Sequence, residues 1–152
     1  MQNLCDCVLE LVKNSIEANS TLIKISVFQK DARRLVLQVE DNGCGMDSEL
    51  CELCQSPFYS TKGKEVGMGL PLVKELALRT GGDFAVECNN NKGITVSVLF
   101  KPYDINMIPI GDIYRTTLKL IKAYNNIDFV LYQKTGNKNI TIDSRYTKSR
   151  KD

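Results

Sequence analysis

Residues 22–45 read LIKISVFQKDARRLVLQVEDNGCG, and this stretch decides the fold class of the 152-residue chain. Two runs of alternating apolar residues, at 22–29 and 35–39, flank a charged turn at 30–34, a pattern that predicts a β-hairpin. The second run ends in a turn-rich break in which Asp41 directly follows the predicted strand. The stretch therefore predicts two antiparallel strands with a carboxylate at the end of the second.

Helical and strand patterns continue on both sides of this hairpin. Apolar residues at helical spacing predict one helix before it and another after a long loop, and two further alternating runs predict strands. The predicted order is a helix at 3–18, the hairpin, a short helix near 48–54, a loop at 55–69, a helix at 70–80 and strands at 84–88 and 94–100. This clustering indicates an α+β fold, a two-layer α/β sandwich with helices on one face of a mixed sheet.

A boundary at Lys101-Pro102 precedes a segment with its own pattern. Residues 101–143 predict a helix with Asp112 as N-cap, followed by a hairpin with strands at 127–133 and 139–143. A helix and a hairpin hold too little apolar surface to fold alone, so we expect this appendage to dock on the domain at 1–100 or on a second subunit. Residues 144–152 lack apolar periodicity and predict a flexible basic tail.

Composition excludes several classes of function. The 20 Lys and Arg nearly balance the 18 Asp and Glu, which argues against a nucleic-acid partner. Histidine is absent, which excludes a Ser-His-Asp triad, a His-ligated metal and an internal phosphohistidine. No apolar run approaches the roughly 18–20 residues that span a bilayer, and the start lacks a signal-peptide pattern, so we expect a soluble, cytoplasmic protein without a membrane partner.

Six cysteines leave two interpretations open. In a chain without a signal peptide they are expected to be reduced thiols. Two pairs could together supply four thiolates for zinc or an iron–sulfur cluster, but they lie in separate predicted helical stretches, and free cysteine often behaves as a small buried apolar residue. We therefore favour buried thiols over a metal site; the cysteines are Cys5, Cys7, Cys44, Cys51, Cys54 and Cys88.

Glu10 and Asn14 lie four residues apart on the first predicted helix and share a face. This face is opposite the apolar stripe, so a solvated polar surface is one interpretation. The other is a carboxylate that activates a nucleophile beside an amide oxygen that ligates Mg²⁺. These two residues alone do not decide between the alternatives.

Two glycine-containing segments carry similar alternatives. Asp41-Asn-Gly43-Cys-Gly45 is either an ordinary turn or a site where a carboxylate meets an exocyclic amine and glycines approach a flat ring. Gly67-Met-Gly69 is either a helix-entry loop or a site where backbone N–H groups hold phosphates. The P-loop and dinucleotide patterns do not fit, because the positions of their required Gly and Ser/Thr hold Phe58, Glu65 and Leu72.

Together, these segments resemble a known superfamily. The pairs Glu10…Asn14, Asp41-x-Gly43-x-Gly45, residues 57–62 (PFYSTK) and Gly67-x-Gly69-Leu70 resemble, in order, the N, G1, F and G2 boxes of the GHKL ATPases. This superfamily includes DNA gyrase, a heat-shock chaperone ATPase, histidine kinases and mismatch-repair ATPases. Residues 108–130 are similar to small stand-alone ATP-binding proteins of anaerobic bacteria. The resemblance to the GHKL ATPases covers residues 4–100 and implies the Bergerat ATP-binding fold.

The resemblance implies a role for each matching residue and makes ATP and Mg²⁺ the expected cofactors. Glu10 matches the general base, and Asn14 matches the residue that ligates Mg²⁺ through its side-chain oxygen. For adenine, the resemblance implies that Asp41 binds the amino group with Thr95 nearby, and that Gly43 and Gly45 shape the pocket. For the phosphates, it implies contacts with the backbone amides of Gly67, Gly69 and Leu70, with Lys62 near them.

The function implied by the resemblance is a Mg²⁺-dependent, ATP-binding phosphotransferase or slow ATPase that regulates a partner protein. Two alternatives stay open: a non-catalytic module that senses ATP or ADP, and a serine kinase of the anti-sigma type. Glu10 favours an enzyme, because a sensor needs no base beside the magnesium ion. Beyond ATP and ADP, we expect an unidentified protein partner and consider a homodimer.

Overall fold

The computed structural model describes residues 1–31, 33–44, 66–88 and 93–149. The predicted short helix at 48–54 and most of the loop at 55–69 lie outside these ranges. In the described ranges the elements are α1 (Leu4–Glu17), β1 (Leu22–Asp31), β2 (Arg34–Asp41), α2 (Val66–Arg79), β3 (Asp83–Cys88), β4 (Ile94–Phe100), α3 (Ile113–Ala123), β5 (Asp128–Thr135), β6 (Lys138–Asp143) and α4 (Ser144–Ser149).

The six strands form a single mixed sheet in the order β3-β4-β2-β1-β5-β6. Every pairing is antiparallel except that of β1 with β5, which is parallel. Helix α1 contacts β1 and β2, α2 contacts β3 and β4, and α3 contacts β5. The predicted α+β sandwich is therefore confirmed, as is the antiparallel hairpin, which β1 and β2 form.

The core lies between the sheet and the helices because the apolar residues of the strands alternate. In the β1–β2 register Ile25 faces Val39 and Val27 faces Leu37, and all four side chains are fully buried. Directly paired residues share a face of the sheet, so this pairing gives one continuous apolar surface. Since Asp41 continues the same alternation from Val39, its side chain also lies on the helical face of the sheet.

Helix α1 begins at a capping box that the sequence analysis did not identify. The Asn3 side chain accepts a hydrogen bond from the Asp6 backbone, and the Asp6 carboxylate accepts hydrogen bonds from the backbone N–H groups of Gln2 and Asn3. These two N–H groups lower the pKa of Asp6. The cap fixes the start of the helix that carries Glu10 and Asn14.

The C-terminal segment completes the sheet of the same chain. Strand β5 pairs with β1 on one side and with β6 on the other, and Phe129 and Leu131 are fully buried. The predicted N-cap of α3 is confirmed, since the Asp112 carboxylate accepts a hydrogen bond from the backbone N–H of Arg115 at 2.9 Å. Because β5 covers the edge of β1, removal of this segment would expose the core.

Residues 144–149 form the short helix α4, in the segment that the sequence analysis predicts to be a flexible tail. The buried Ser144 hydroxyl donates to the Asp128 carboxylate at 3.1 Å and accepts from the backbone N–H of Phe129 at 2.8 Å. The Arg145 guanidinium contacts the Asp143 carboxylate at 2.9 and 2.7 Å, which lowers the pKa of Asp143. Because these contacts are polar, the sequence of α4 shows no apolar periodicity that would have predicted a helix.

Helix α2 also begins earlier than the sequence predicts, at Val66 instead of Leu70. Pro71 therefore lies inside the helix and not at its first position, which is where proline is favoured. Its missing N–H leaves the carbonyl of Gly67 without an intrahelical donor. The earlier start places Gly67 and Gly69 in the first turn of the helix.

Candidate functional site

Asp41 is the centre of a buried polar cluster that joins α1, β2 and β4. Its side chain is only 5% exposed. One carboxylate oxygen accepts a hydrogen bond from the Ser15 hydroxyl of α1 at 2.6 Å. The other accepts from the backbone N–H groups of Gly43 at 3.0 Å and Ile94 at 3.3 Å. Three donors therefore hold the carboxylate, so it is not an exposed turn residue.

Two glycines permit the close packing around Asp41. A Cβ at Gly43 would lie 2.6 Å from the carbonyl oxygen of Ala18 and 2.7 Å from the Ser20 hydroxyl. Gly93 adopts φ +113°, and a Cβ there would lie 1.9 Å from the carbonyl oxygen of Asp41. Any larger residue at either position would displace backbone, so these positions require glycine.

Asn14 is buried and has one unused hydrogen-bonding atom. Its side-chain N–H donates to the Glu10 carbonyl oxygen at 3.2 Å, whereas its side-chain oxygen has no hydrogen-bond partner among the described residues. Asn14 is 8% exposed, which contradicts the interpretation of this face as uniformly solvated. A buried oxygen without a donor suits a cation, because carboxylate and amide oxygens are the ligands of Mg²⁺.

Glu10 lies one turn before Asn14 on the same face of α1 and is partly exposed. Its carboxylate makes no hydrogen bond or ion pair with the described residues. The side chain is thus accessible to water and is not committed to a structural contact. This is what a general base requires, and it is also compatible with a surface carboxylate.

Thr95 is not brought to Asp41. In the β2–β4 register Thr95 pairs with Glu40 and Val39 pairs with Val96. Directly paired residues share a face and neighbours alternate, so the Thr95 side chain lies on the face of the sheet opposite Asp41. The residue of β4 that contacts Asp41 is Ile94, through its backbone N–H. The adenine role of Thr95 stays a prediction that this geometry does not favour.

The phosphate-side residues are only partly described. Gly67 and Gly69 lie in the first turn of α2, whose N–H groups have no intrahelical acceptors. Leu70 follows this turn, and its side chain is buried. Gly45 and Lys62 lie outside the described residues. Backbone N–H groups at the start of α2 are therefore available for an anion, and the roles of these residues stay predictions.

Sequence reasoning missed Ser15 and Gly93 as parts of the site. Ser15 directly follows Asn14, but its contact with Asp41 spans 26 residues of sequence. Gly93 immediately precedes the predicted strand at 94–100, and its positive φ requires the structure. A glycine immediately before a strand is the one sequence signal that could have identified Gly93.

The described cysteines do not form a metal site. Cys5 and Cys7 are buried free thiols, and burial raises the pKa of Cys7 to about 12, with a contribution from the negative charge of Asp6. Such a thiol stays protonated at neutral pH, and the described residues contain no cluster of three or more His, Cys, Asp or Glu side chains that could hold a metal ion. The prediction of reduced thiols is wrong for Cys88, which is disulfide-bonded. Sequence spacing does not show which cysteines meet in space.

Cavity volume alone does not identify the polar cluster. An open cavity of about 970 Å³ lies at the opposite end of β2, between the β1–β2 turn and the end of β4. It is lined by Arg34, Asp83 and Lys101 among others, and none of the predicted site residues contributes to it.

In the described ranges, no helix is both long and apolar enough to cross a membrane.

Comparison with known families gives the polar cluster its context. The model of the family described as histidine kinase-, DNA gyrase B- and HSP90-like ATPase matches residues 2–104. The chain belongs to this family. These are the GHKL ATPases that the four boxes resemble, so the resemblance is confirmed. The match includes all of α1, β1, β2, α2, β3 and β4 and ends before α3.

Individual relatives of this GHKL domain include kinases and a repair protein. Sporulation kinase C of Bacillus subtilis (strain 168) is 34% identical over 93 residues, which are 60% of this chain and 22% of the kinase. DNA mismatch repair protein MutL of Chlorobaculum tepidum is 41% identical over 66 residues, which are 43% of this chain and 10% of MutL. The chain thus spans about a fifth of the length of these relatives, or less.

Solved structures show the same fold. The Aquifex aeolicus MutL ATPase domain complexed with ADP has a TM-score of 0.53 and 18% identity, covering 93% of this chain and 64% of that one. The N-terminal domain of a DNA repair protein has a TM-score of 0.59 and 21% identity, covering 94% and 52%. The GHKL-type fold is therefore confirmed by structural comparison.

Proposed function

We propose that this GHKL domain binds ATP with Mg²⁺ and acts as a phosphotransferase or slow ATPase in the regulation of a partner protein. The observation that carries the proposal is the buried Asp41 carboxylate, held by donors from α1, from the turn after β2 and from β4. All three neighbours donate, so both carboxylate oxygens act as acceptors, and such a group binds the exocyclic amine of adenine. Family membership and the MutL domain complexed with ADP support the choice of an adenine nucleotide.

Other residues near Asp41 are proposed to position the backbone, to bind the phosphates and to act as the base. Gly43 and Gly93 let the backbone pack against Ala18 and against the Asp41 carbonyl group, which holds the segments around the carboxylate in place. The first turn of α2 offers N–H groups to the phosphates. Glu10 is the candidate base that takes a proton from water or from an acceptor hydroxyl.

Asn14 fits a magnesium ion. Its side-chain oxygen is buried and lacks a donor, whereas its side-chain nitrogen is already used. Bound Mg²⁺ would neutralise phosphate charge, and Asn14 would supply one oxygen ligand to it. The one-turn separation of Glu10 and Asn14 on α1 places the candidate base near the candidate metal ligand.

Replacing Asn14 by alanine should remove the gain in ATP affinity that Mg²⁺ provides. We expect ATP to bind Asn14→Ala about tenfold more weakly with Mg²⁺ than it binds the wild type, and equally well in EDTA, because the adenine contact is kept. Titration calorimetry with and without Mg²⁺ measures this. Ser20→Ala, which removes another buried oxygen without a partner, is the control. Unchanged magnesium dependence in Asn14→Ala would contradict the assignment.

The experiment that tests the proposed function is incubation of the protein with Mg²⁺ and γ-labelled ATP. One arm contains the protein alone, and a second contains cell lysate. Label is followed as inorganic phosphate and as phosphoprotein, and acid stability of the phosphoprotein distinguishes phosphoserine from acyl or imidazole phosphates. An Asp41→Ala sample identifies activity that does not need the proposed site.

Each outcome separates one candidate function from the others. Inorganic phosphate that depends on Asp41 indicates an ATPase. Acid-stable label on a lysate protein indicates a serine kinase of the anti-sigma type, and acid-labile label indicates a different phosphotransferase. ATP binding without either product indicates the sensor. Absence of ATP binding contradicts the proposed function.

We propose the C-terminal segment as the surface that meets the protein partner. Exposed apolar and aromatic side chains of α3, β5 and α4 surround an open cavity of about 750 Å³, namely Tyr114, Leu118, Tyr132 and Tyr146. Tyrosine is enriched at protein interfaces. Exposed Arg115, Lys119 and Lys122 on α3 add positive charge, which favours an acidic partner surface.

Removing this apolar surface should weaken partner binding and spare nucleotide binding. The double variant Tyr114→Ala, Leu118→Ala should bind ATP as the wild type does, and should lose at least about tenfold in partner affinity or in self-association. Pull-down and light scattering measure the two effects. Leu78→Ala, an exposed leucine of α2, is the control. Wild-type mass together with wild-type partners in the double variant would contradict the proposal.

A further inference from the structure

Ser15 is buried in α1 and has a single hydroxyl proton that two acceptors could take. Its oxygen lies 2.6 Å from the Asp41 carboxylate and 3.4 Å from the carbonyl oxygen of Leu11. The shorter distance is in the range of a hydroxyl bonded to a charged acceptor, so the proton goes to Asp41. Ser15 is 2% exposed, so water does not compete for this bond.

The bond fixes the orientation of the carboxylate in a way that the strands alone do not. Gly43 and Ile94 both donate to one oxygen of Asp41, and Ser15 is the only described residue that donates to the other. With Ser15 present, both oxygens are held in acceptor positions. Without it, the second oxygen loses its protein donor, and water or a rotated carboxylate replaces the fixed geometry.

We infer that Ser15 is a positioning residue that makes this site select a base carrying an amino group. The inference rests on the proposed function, since it takes Asp41 as the contact for adenine. The C6 amino group of adenine donates a hydrogen bond, whereas hypoxanthine carries an oxygen acceptor at the same position. The two oriented carboxylate oxygens of Asp41 gain a hydrogen bond with adenine, whereas with hypoxanthine a carboxylate oxygen would face another acceptor oxygen. Fixed polar groups that would be left unpaired give strong discrimination between such analogues.

The test compares the affinities of ATP and ITP, the hypoxanthine analogue, in Mg²⁺ by titration calorimetry on the full chain. The variants are Ser15→Ala and, as a matched control, Thr117→Val, which removes a buried hydroxyl from α3 that donates to the Ile113 carbonyl oxygen. We expect Ser15→Ala to lose roughly tenfold in ATP affinity and to keep its ITP affinity, so that the ATP/ITP ratio falls. Thr117→Val should keep the wild-type ratio.

Two results would overturn the inference, and both leave the ATP/ITP ratio unchanged. If Ser15→Ala binds both nucleotides as the wild type does, the hydroxyl does not act on the base. If a Ser15→Ala variant that a thermal melt shows to be folded loses the same affinity for both, the hydroxyl has a purely structural role. A wild type that binds neither nucleotide contradicts the proposed function instead, and this result is distinct from the other two.

Discussion

Glu10→Gln is expected to keep wild-type affinity for Mg²⁺ and ATP and to lose turnover by roughly 10²–10⁴-fold, the range typical of general-base catalysis. Glutamine has nearly the shape of glutamate and cannot accept the proton. Glu10 makes no contact with the described residues that its loss would break, so stability should change little. Single-turnover release of labelled phosphate and calorimetry on the same sample separate catalysis from binding.

Glu87→Gln is the matched control for this prediction. Glu87 lies on β3, is exposed and has the same charge. Removing it should leave turnover unchanged, because it pairs with Thr95 and so lies on the face of the sheet opposite Asp41 and α1. Equal turnover in Glu10→Gln and wild type would mean that Glu10 is a solvated surface carboxylate and not the general base. ATP binding without turnover in either would favour the sensor.

Asp41→Asn is expected to weaken ATP binding by about 1.5–3 kcal/mol, the range for hydrogen bonds to charged groups, which is about 10–150-fold in Kd. An amide has one oxygen for the three donors around this position. The N–H groups of Gly43 and Ile94 cannot reverse, so the oxygen should turn to them and the NH₂ to Ser15, whose hydroxyl can accept. The side chain then presents a donor where the carboxylate presented an acceptor.

The control for this prediction is Glu40→Gln, the neighbouring carboxylate of β2. Glu40 is exposed and lies on the opposite face of the sheet. The Glu40→Gln variant should bind ATP as the wild type does. Calorimetry with ATP and with ADP measures both variants, and circular dichroism shows whether they are folded. Wild-type ATP affinity in a folded Asp41→Ala variant would exclude Asp41 from the adenine pocket.

Local patterns were enough to predict most of the secondary structure. The hairpin of β1 and β2 follows from alternation within a few residues of a charged turn, and the start of α3 follows from Asp112 as an N-cap. Such signals depend on sterics and hydrogen bonds within one turn or one strand, so they are complete in the sequence. The start of α2 and the helix α4 were not predicted. Helix α2 begins at Val66, before Pro71, and the contacts of Ser144 that hold α4 are polar and non-local.

The sequence by itself determined the family and the residue types of the site, through the ordered boxes around Glu10, Asn14, Asp41 and Gly67. Tertiary structure alone decided which of them meet. The bond from Ser15 to Asp41 joins residues 26 apart, and that from Ile94 to Asp41 joins residues 53 apart. The register of β2 and β4 placed Thr95 on the other face of the sheet. Strand register and helix packing arise from burying the whole apolar face at once, so no local stretch of sequence contains them.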